Sequence, residues 1–147
     1  MKLEENEART RFAEVPVVRL ATADDLNRPH LVATTFVVAD DVIFSAVDGK
    51  PKQSRNLKRL RNIQLTPHVS VLADHYAEDW TELWWARADG TATVIEAEDD
   101  MAEPLRLLAD RYWQYRRDRP EGPVIAVAVE RWTGWAYADR GQETSIK

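Results

Sequence analysis

The segment HLVATTFVVADDVIFSA, residues 30–46, gives the strongest indication of the fold. Residues 30–39 are mostly apolar or β-branched on both alternating faces, which predicts a strand that is covered on both sides. Asp40 and Asp41 then form a tight turn into a second strand over residues 42–46. Because so short a connection joins only antiparallel neighbours, we expect an antiparallel sheet.

Other strands are indicated on both sides of this hairpin. They are predicted over residues 15–23, 68–74, 84–97 and 124–137. The strand over 84–97 is interrupted at Asp89 and Gly90, so it counts as one or two strands. Residues 24–29 form a turn by composition, and residues 76–83 form a polar loop.

Three helices are predicted, over residues 4–13, over residues 53–65 and around an apolar stripe further along the chain. The stripe repeats at helical spacing over about five turns. Its members are Met101, Leu105, Leu108, Tyr112 and Tyr115. This order of elements favours a mainly β protein, an antiparallel barrel of six or seven strands with flanking helices, over a doubly wound sheet.

The length and composition limit the classes of protein. A chain of 147 residues suits one compact domain over residues 1–147. It has no cysteine, which excludes disulfides, thiolate nucleophiles and cysteine-ligated metals. The formal net charge of −5 argues against broad nucleic-acid or membrane binding. The apolar runs are strand-sized and the N-terminus has no secretory pattern, so we expect a cytoplasmic protein.

A loop over residues 47–52 is a candidate phosphate site. It joins a strand to a helix whose first turn offers free backbone N–H groups, and Lys50 and Lys52 add positive charge. Gln53 and Ser54 can supply neutral hydrogen bonds to the remaining oxygens. Helical periodicity does not require the two lysines, so we interpret them as ligands of an anion.

The basic residues that follow have a simpler interpretation. No acidic residue occurs between Gly49 and Ala73, and the charge there is entirely positive. The basic residues are Lys50, Lys52, Arg55, Lys58, Arg59 and Arg61. We interpret Lys58 and Arg59 as part of the solvated face of an amphipathic helix.

The tryptophans and histidines give weaker indications. Six tryptophans are many for this length, and packing is their usual role. Trp80, Trp84 and Trp85 remain candidates for a ring-binding wall because they border the polar loop. His75 lies near acidic residues, but the spacing matches no metal-ligand pair and we expect no metal site. The chain has no hydrolase elbow, P-loop or dinucleotide fingerprint.

Several stretches, in this order, resemble the pyridoxamine 5′-phosphate oxidase-like family of split-barrel proteins. The stretches are residues 18–22, 28–32, 44–52, 56–57, 67–71, 73–76 and 79–85. The last two look specific to the actinobacterial branch that uses the deazaflavin coenzyme F420. The resemblance runs from about residue 12 to residue 137 and implies a split β-barrel.

The resemblance also implies where a cofactor binds. The strand over residues 30–35 would line the ring system, Ser45 and Ala46 would lie beside it, and Lys52 would hold the phosphate. Pro51 stands where the flavin oxidases have arginine, which leaves Lys50 as the second cation and weakens the case for FMN. The predicted cofactor-binding residues are His30, Val32, Thr34, Thr35, Ser45, Ala46, Lys50, Lys52, Gln53, Ser54, Trp80 and Trp84.

The implied function is an F420-dependent oxidoreductase that transfers a hydride between the reduced cofactor and a small organic substrate. The resemblance further implies a homodimer in which the partner chain completes each pocket. Hydride transfer places no absolute demand on a side-chain acid or base, and we name no catalytic residue. Two alternatives stay open: an FMN-dependent enzyme on the same scaffold, and a non-catalytic protein that binds or carries the cofactor or a haem.

Overall fold

The computed structural model describes residues 1–47 and 57–138 of the chain. The helices are α1 (Glu5–Glu14), α2 (Lys58–Leu65), α3 (Glu98–Arg111) and α4 (Trp113–Arg117). The strands are β1 (Val18–Ala23), β2 (Pro29–Thr34), β3 (Val37–Ala39), β4 (Val42–Ala46), β5 (His68–His75), β6 (Trp84–Ile95) and β7 (Val124–Ala136). A single 3₁₀ turn, Trp80–Glu82, precedes β6.

Within these residues, seven strands form one antiparallel sheet in the order β2-β1-β5-β6-β7-β4-β3. The two outermost strands, β2 and β3, follow each other along the chain with only Thr35 and Phe36 between them. Three Cα steps span at most about 11 Å, whereas the edges of a flat seven-stranded sheet lie about 29 Å apart. The sheet must therefore curl until its edges meet, which confirms the predicted mainly β split barrel.

The predicted strand over residues 30–39 is divided at this closure. β2 ends at Thr34 and β3 begins at Val37, because the chain leaves one edge of the sheet and joins the other. Phe36 is fully buried between them. β6 runs as one strand, with an irregular register at Asp89 and Gly90 where the interruption was predicted.

Two predicted helices differ in their bounds. The last one is divided because Tyr112 has an extended backbone, with φ −112° and ψ 117°. The middle one begins at Lys58, since Leu57 is also extended, with φ −64° and ψ 141°. Residues 53–56 of that predicted helix lie outside the described part of the chain.

The predicted turns are confirmed. Asp40, with φ 54°, makes the two-residue hairpin between β3 and β4, and Asn27, with φ 62°, belongs to the turn between β1 and β2. A short polar side chain is well suited to this left-handed backbone conformation.

The main core fills the barrel and continues under α1. Phe12 of α1 is fully buried and packs edge-on against Phe36 at 5.3 Å and Trp132 at 5.1 Å between ring centroids. A second cluster, which includes Ala46, Leu108 and Tyr115, lies under α3. No helix in residues 1–47 or 57–138 is long and apolar enough to cross a membrane.

Candidate functional site

The closure of the barrel brings two hydroxyl groups together, at the end of β2 and near the end of β4. Thr34 Oγ1 lies 2.6 Å from Ser45 Oγ, and Thr34 also donates to the carbonyl of Thr35 at 3.1 Å. A serine hydroxyl has one donor and two acceptor positions, so Ser45 keeps hydrogen-bonding capacity beyond this pair. We call Thr34, Thr35 and Ser45 the hydroxyl corner; Ala46, the next residue of β4, packs in the cluster under α3.

The α3–α4 junction holds the hydroxyl corner in place. Thr35 Oγ1 lies 2.6 Å from the Tyr115 hydroxyl. Tyr112 Oη accepts from the backbone N–H of Phe36 at 3.1 Å and lies 2.8 Å from the carbonyl oxygen of Pro16. Burial raises the pKa of Tyr112, so its hydroxyl stays protonated.

Arg111 adds a third clamp at the same place. Its Nη1 donates to the Phe36 carbonyl at 2.9 Å, and its Nη2 donates to the carbonyl of Val15. Sequence reasoning missed Arg111 and assigned Tyr112 and Tyr115 to the apolar stripe only. The apolar stripe correctly predicts that their rings pack against apolar residues. An apolar pattern does not predict the hydrogen bonds of their hydroxyl groups.

His30, Val32 and Thr34 share one face of β2. All three are partly buried, whereas Leu31 and Ala33 on the opposite face are exposed. This pattern brings three predicted site residues onto one side of one strand. It also gives the face a polar group at each end.

His30 carries an unsatisfied polar atom. Its Nδ1 is buried and has no hydrogen-bond partner among the described residues. In the strand pairing His30 lies opposite Thr22, whose Oγ1 accepts from Nδ2 of buried Asn62 at 3.0 Å. A buried nitrogen without a partner is uncommon in folded proteins, and a water or a ligand can supply the missing partner.

The predicted phosphate-binding residues Lys50, Lys52, Gln53 and Ser54 lie outside the described residues. The described chain stops just before them, at Val47, which donates its backbone N–H to the Pro123 carbonyl at 2.9 Å. These residues therefore follow the hydroxyl corner closely in sequence, and their role stays a prediction.

Trp80 and Trp84 are not brought to the hydroxyl corner within one chain. Trp84 begins β6, which is three strands away from β2 in the sheet, and it pairs with His75 and Ala136. Trp80 is 68% exposed. Their contact with a cofactor stays a prediction that needs a second chain.

Arg59 corrects one interpretation made from the sequence. Lys58 is exposed, as expected for the solvated face of a helix, but Arg59 is half-buried because α2 packs against β1 and β6. No ion pair among the described residues involves Arg59, and burial lowers its pKa. The expectation that Arg59 is simply solvated was wrong, because the side of α2 that carries Arg59 is partly covered by the sheet.

Metal binding has no structural support in the described ranges, where no three histidine or acidic side chains are grouped to hold an ion.

The curled antiparallel sheet, its helical cover and the hydroxyl corner at its closure together define a helix-flanked split barrel. The chain belongs to the pyridoxamine 5′-phosphate oxidase family, whose profile matches residues 5–136.

Solved structures with the same fold are distant in sequence. An FAD-binding protein from Mycobacterium smegmatis is 19% identical, with a TM-score of 0.64 over 92% of this chain and 96% of that one. An FAD-binding protein from Mesorhizobium loti is 18% identical, with a TM-score of 0.64 over 91% and 95%. The haem storage protein HutZ from Vibrio cholerae is 16% identical, with a TM-score of 0.69 over 90% and 93%. A search of curated proteins found no significant match.

Proposed function

We propose that this protein binds a flavin-type cofactor at the hydroxyl corner and uses it for hydride transfer to or from a small organic substrate. The observation that carries the proposal is the Thr34–Ser45 hydroxyl pair, whose oxygens lie 2.6 Å apart in a member of this family. In the sequence, Ser45 is followed within a few residues by the cationic residues Lys50 and Lys52. Fixed hydroxyls suit the polar edge of a planar ring, and lysines suit its anionic tail.

The residues present fit such a cofactor. Thr34 and Ser45 offer hydrogen bonds at the barrel closure, and His30, at the start of the same strand, has a buried Nδ1 without a partner among the described residues. Arg59 adds a half-buried positive charge in a stretch without acidic residues. A partly desolvated guanidinium that makes no ion pair with any described residue favours a nearby anion, because burial penalises a charge without a partner.

Among flavin-type cofactors, we propose the deazaflavin coenzyme F420, with FMN as the alternative. Pro51 stands where the family's flavin oxidases have an arginine, so one phosphate ligand of FMN is missing. When bound, the deazaflavin supplies two-electron hydride transfer. The side chains of this protein position the ring and exclude water, and the proposed reaction needs no protein acid or base.

We also propose a homodimer, in which a second copy brings Trp80 to the cofactor. Leu31 on the outer face of β2 is 67% exposed and lies opposite Ala21 of β1, next to exposed Ala33. Light scattering should give twice the chain mass. A Leu31→Lys variant should shift the protein to monomer, because the charge would be buried at the contact. A monomeric wild type would contradict this arrangement.

The cofactor proposal is tested by titrating the purified protein with F420 and with FMN. The Lys52→Ala variant should weaken binding by about 1.5–3 kcal/mol, the contribution of a charged hydrogen bond, with little change in folding. Lys58→Ala is the matched control: Lys58 is exposed, and its replacement should leave the affinity for the cofactor unchanged. An unchanged affinity for Lys52→Ala would show that the phosphate binds elsewhere.

The same titration separates the alternatives. Tight FMN binding without affinity for F420 would overturn the choice of cofactor, and a yellow, flavin-fluorescent protein on purification would favour FMN. Turnover of the reduced cofactor with any organic acceptor would eliminate the non-catalytic carrier.

A further inference from the structure

The directions of the hydrogen bonds in the hydroxyl corner follow from the number of protons available. Thr34 Oγ1 lies 3.1 Å from the carbonyl oxygen of Thr35 and 2.6 Å from Ser45 Oγ. A hydroxyl group has one proton and a carbonyl oxygen can only accept, so Thr34 donates to Thr35. The contact between the two hydroxyls is then a hydrogen bond only if Ser45 is its donor.

The reverse arrangement leaves one of these contacts without a proton. If Thr34 donated to Ser45, its Oγ1 would lie 3.1 Å from the Thr35 carbonyl oxygen with no hydrogen atom between the two acceptors. The Tyr115 hydroxyl, 2.6 Å from Thr35 Oγ1, holds Thr35 in place beside Thr34. Because polar atoms removed from water are stabilised by hydrogen bonds, the arrangement in which Ser45 donates is favoured.

Ser45 therefore uses its single proton within the protein. It makes no second hydrogen bond with any described residue, and its two acceptor positions stay open. Ser45 is 6% exposed, so bulk water does not compete effectively for the proton. Toward a ligand at the hydroxyl corner, Ser45 consequently acts as a hydrogen-bond acceptor and not as a donor.

We propose that Ser45 is a specificity-determining residue that accepts a hydrogen bond from the imide N–H of the cofactor ring. This inference rests on the proposed function, because it takes the ring to lie at the hydroxyl corner. The pyrimidine part of flavins and of deazaflavins carries two carbonyl groups, which accept, and between them an imide N–H, which donates. An oxygen that only accepts matches the N–H and disfavours either carbonyl.

This fixed polarity determines which rings bind. A ring with a methyl group on the imide nitrogen has no proton to give to Ser45. The site then loses one hydrogen bond and leaves the lone pairs of Ser45 without a partner. A site built to bind an N–H group discriminates strongly against an analogue that lacks it.

The test compares FMN and F420 with the same two compounds methylated at the imide nitrogen. Fluorescence titration measures their affinities for wild type and for Ser45→Ala. In wild type, methylation should weaken binding by at least about tenfold, the effect of losing one hydrogen bond in a desolvated site. In Ser45→Ala, the affinity for the unmethylated ring should fall by about the same factor, and methylation should weaken binding no further.

Ser70→Ala is the matched control. Ser70 is a strand serine on β5 whose Oγ donates to Asp89 Oδ1 at 2.6 Å, and it does not belong to the hydroxyl corner. Its replacement should leave the affinities and the effect of methylation unchanged. If Ser45→Ala does not fold, Ser45→Cys gives the same comparison, because it keeps the side chain but offers only a weak sulfur acceptor.

The outcomes separate this inference from the proposed function. If neither FMN nor F420 binds to wild type, the proposed function is wrong and the inference is overturned with it. If a cofactor binds but methylation does not weaken its binding to wild type, the inference alone is overturned. The same conclusion follows if methylation weakens binding equally in wild type and in the Ser45 variant. A methylation effect that disappears with the Ser45 hydroxyl supports the inference.

Discussion

The carboxylate of Asp24 organises the turn between β1 and β2. Its Oδ1 accepts from the backbone N–H groups of Leu26 and Arg28, both at 2.9 Å, and its Oδ2 accepts from Arg28 Nε at 2.7 Å. The backbone hydrogen bond from Arg28 is the largest cause that lowers the pKa of Asp24, from 3.8 to about 2. Hydrogen bonds to the ionised form hold the proton off.

This shift predicts a pH dependence of stability. A lowered folded-state pKa contributes stability that is present above pH 3.8 and is lost as the pH falls toward 2. The Asp24→Asn variant should therefore be less stable than wild type at neutral pH, and the difference should shrink below pH 3.8. Urea denaturation across that range measures it, with exposed Asp25→Asn as control. If the free energies of unfolding of wild type and Asp24→Asn differ by the same amount at every pH, the lowered pKa of Asp24 does not stabilise the fold.

Among the helices and strands, the break between α3 and α4 allows Tyr112 to make hydrogen bonds with distant parts of the chain. The extended backbone at Tyr112 carries its hydroxyl to Phe36 N–H and to the Pro16 carbonyl. We expect Tyr112→Phe to destabilise the protein by about 1–3 kcal/mol, because the partly buried N–H of Phe36 loses its partner. Chemical denaturation tests this. Tyr76→Phe, at a residue that is 65% exposed, should change nothing.

The irregular pairing of β6 with β7 lies beside a residue without a side chain, Gly90. A Cβ atom added at Gly90 would run into the backbone carbonyl oxygen of Ala128 on β7. The strand cannot yield without losing its pairing, so Gly90→Ala should cost about 1–3 kcal/mol or more in overpacking. Thermal unfolding should show a lowered midpoint, while Thr91→Ala, whose hydroxyl makes an exposed contact with Glu130, should have a small effect. Equal midpoints for Gly90→Ala and wild type would contradict the claim that the close approach of Ala128 requires glycine at position 90.

The elements that the sequence predicted well are those set by local chemistry. The Asp40–Asp41 hairpin and the turn over residues 24–29 depend on neighbouring residues, and both are present. The break at Tyr112 was not predictable, because the apolar period continues through it and its partner Pro16 is 96 residues away. Tertiary hydrogen bonds there override the helical period.

The same distinction applies to the candidate site. Thr34, Thr35, Ser45 and Ala46 were named from the family resemblance. The structure brings Thr34 to Ser45 because the barrel closes between β2 and β3, whereas Ala46 packs in the cluster under α3. The clamp from Arg111 and the burial of Arg59 arise from helix packing, which one sequence does not show. Local pattern thus predicted the strands and the resemblance predicted the corner, but neither predicted what supports it.

In the whole molecule, the contacts that close the sheet also fix the position of the Thr34–Ser45 hydroxyl pair. Residues 35 and 36 alone connect the two sheet edges, and they are held by three groups from the α3–α4 junction. The hydroxyl pair at the closure is therefore positioned before any ligand arrives. Preorganised polar groups bind a ring with little loss of conformational freedom.

The central claim is that the cofactor ring lies beside the Thr34–Ser45 pair, with its anionic tail directed at Lys50 and Lys52. A crystal structure of the protein soaked with F420, and with FMN in a parallel soak, tests this most directly. We predict ring density within hydrogen-bonding distance of Ser45. An empty corner in both soaks, or a ring bound elsewhere on the barrel, would contradict the account.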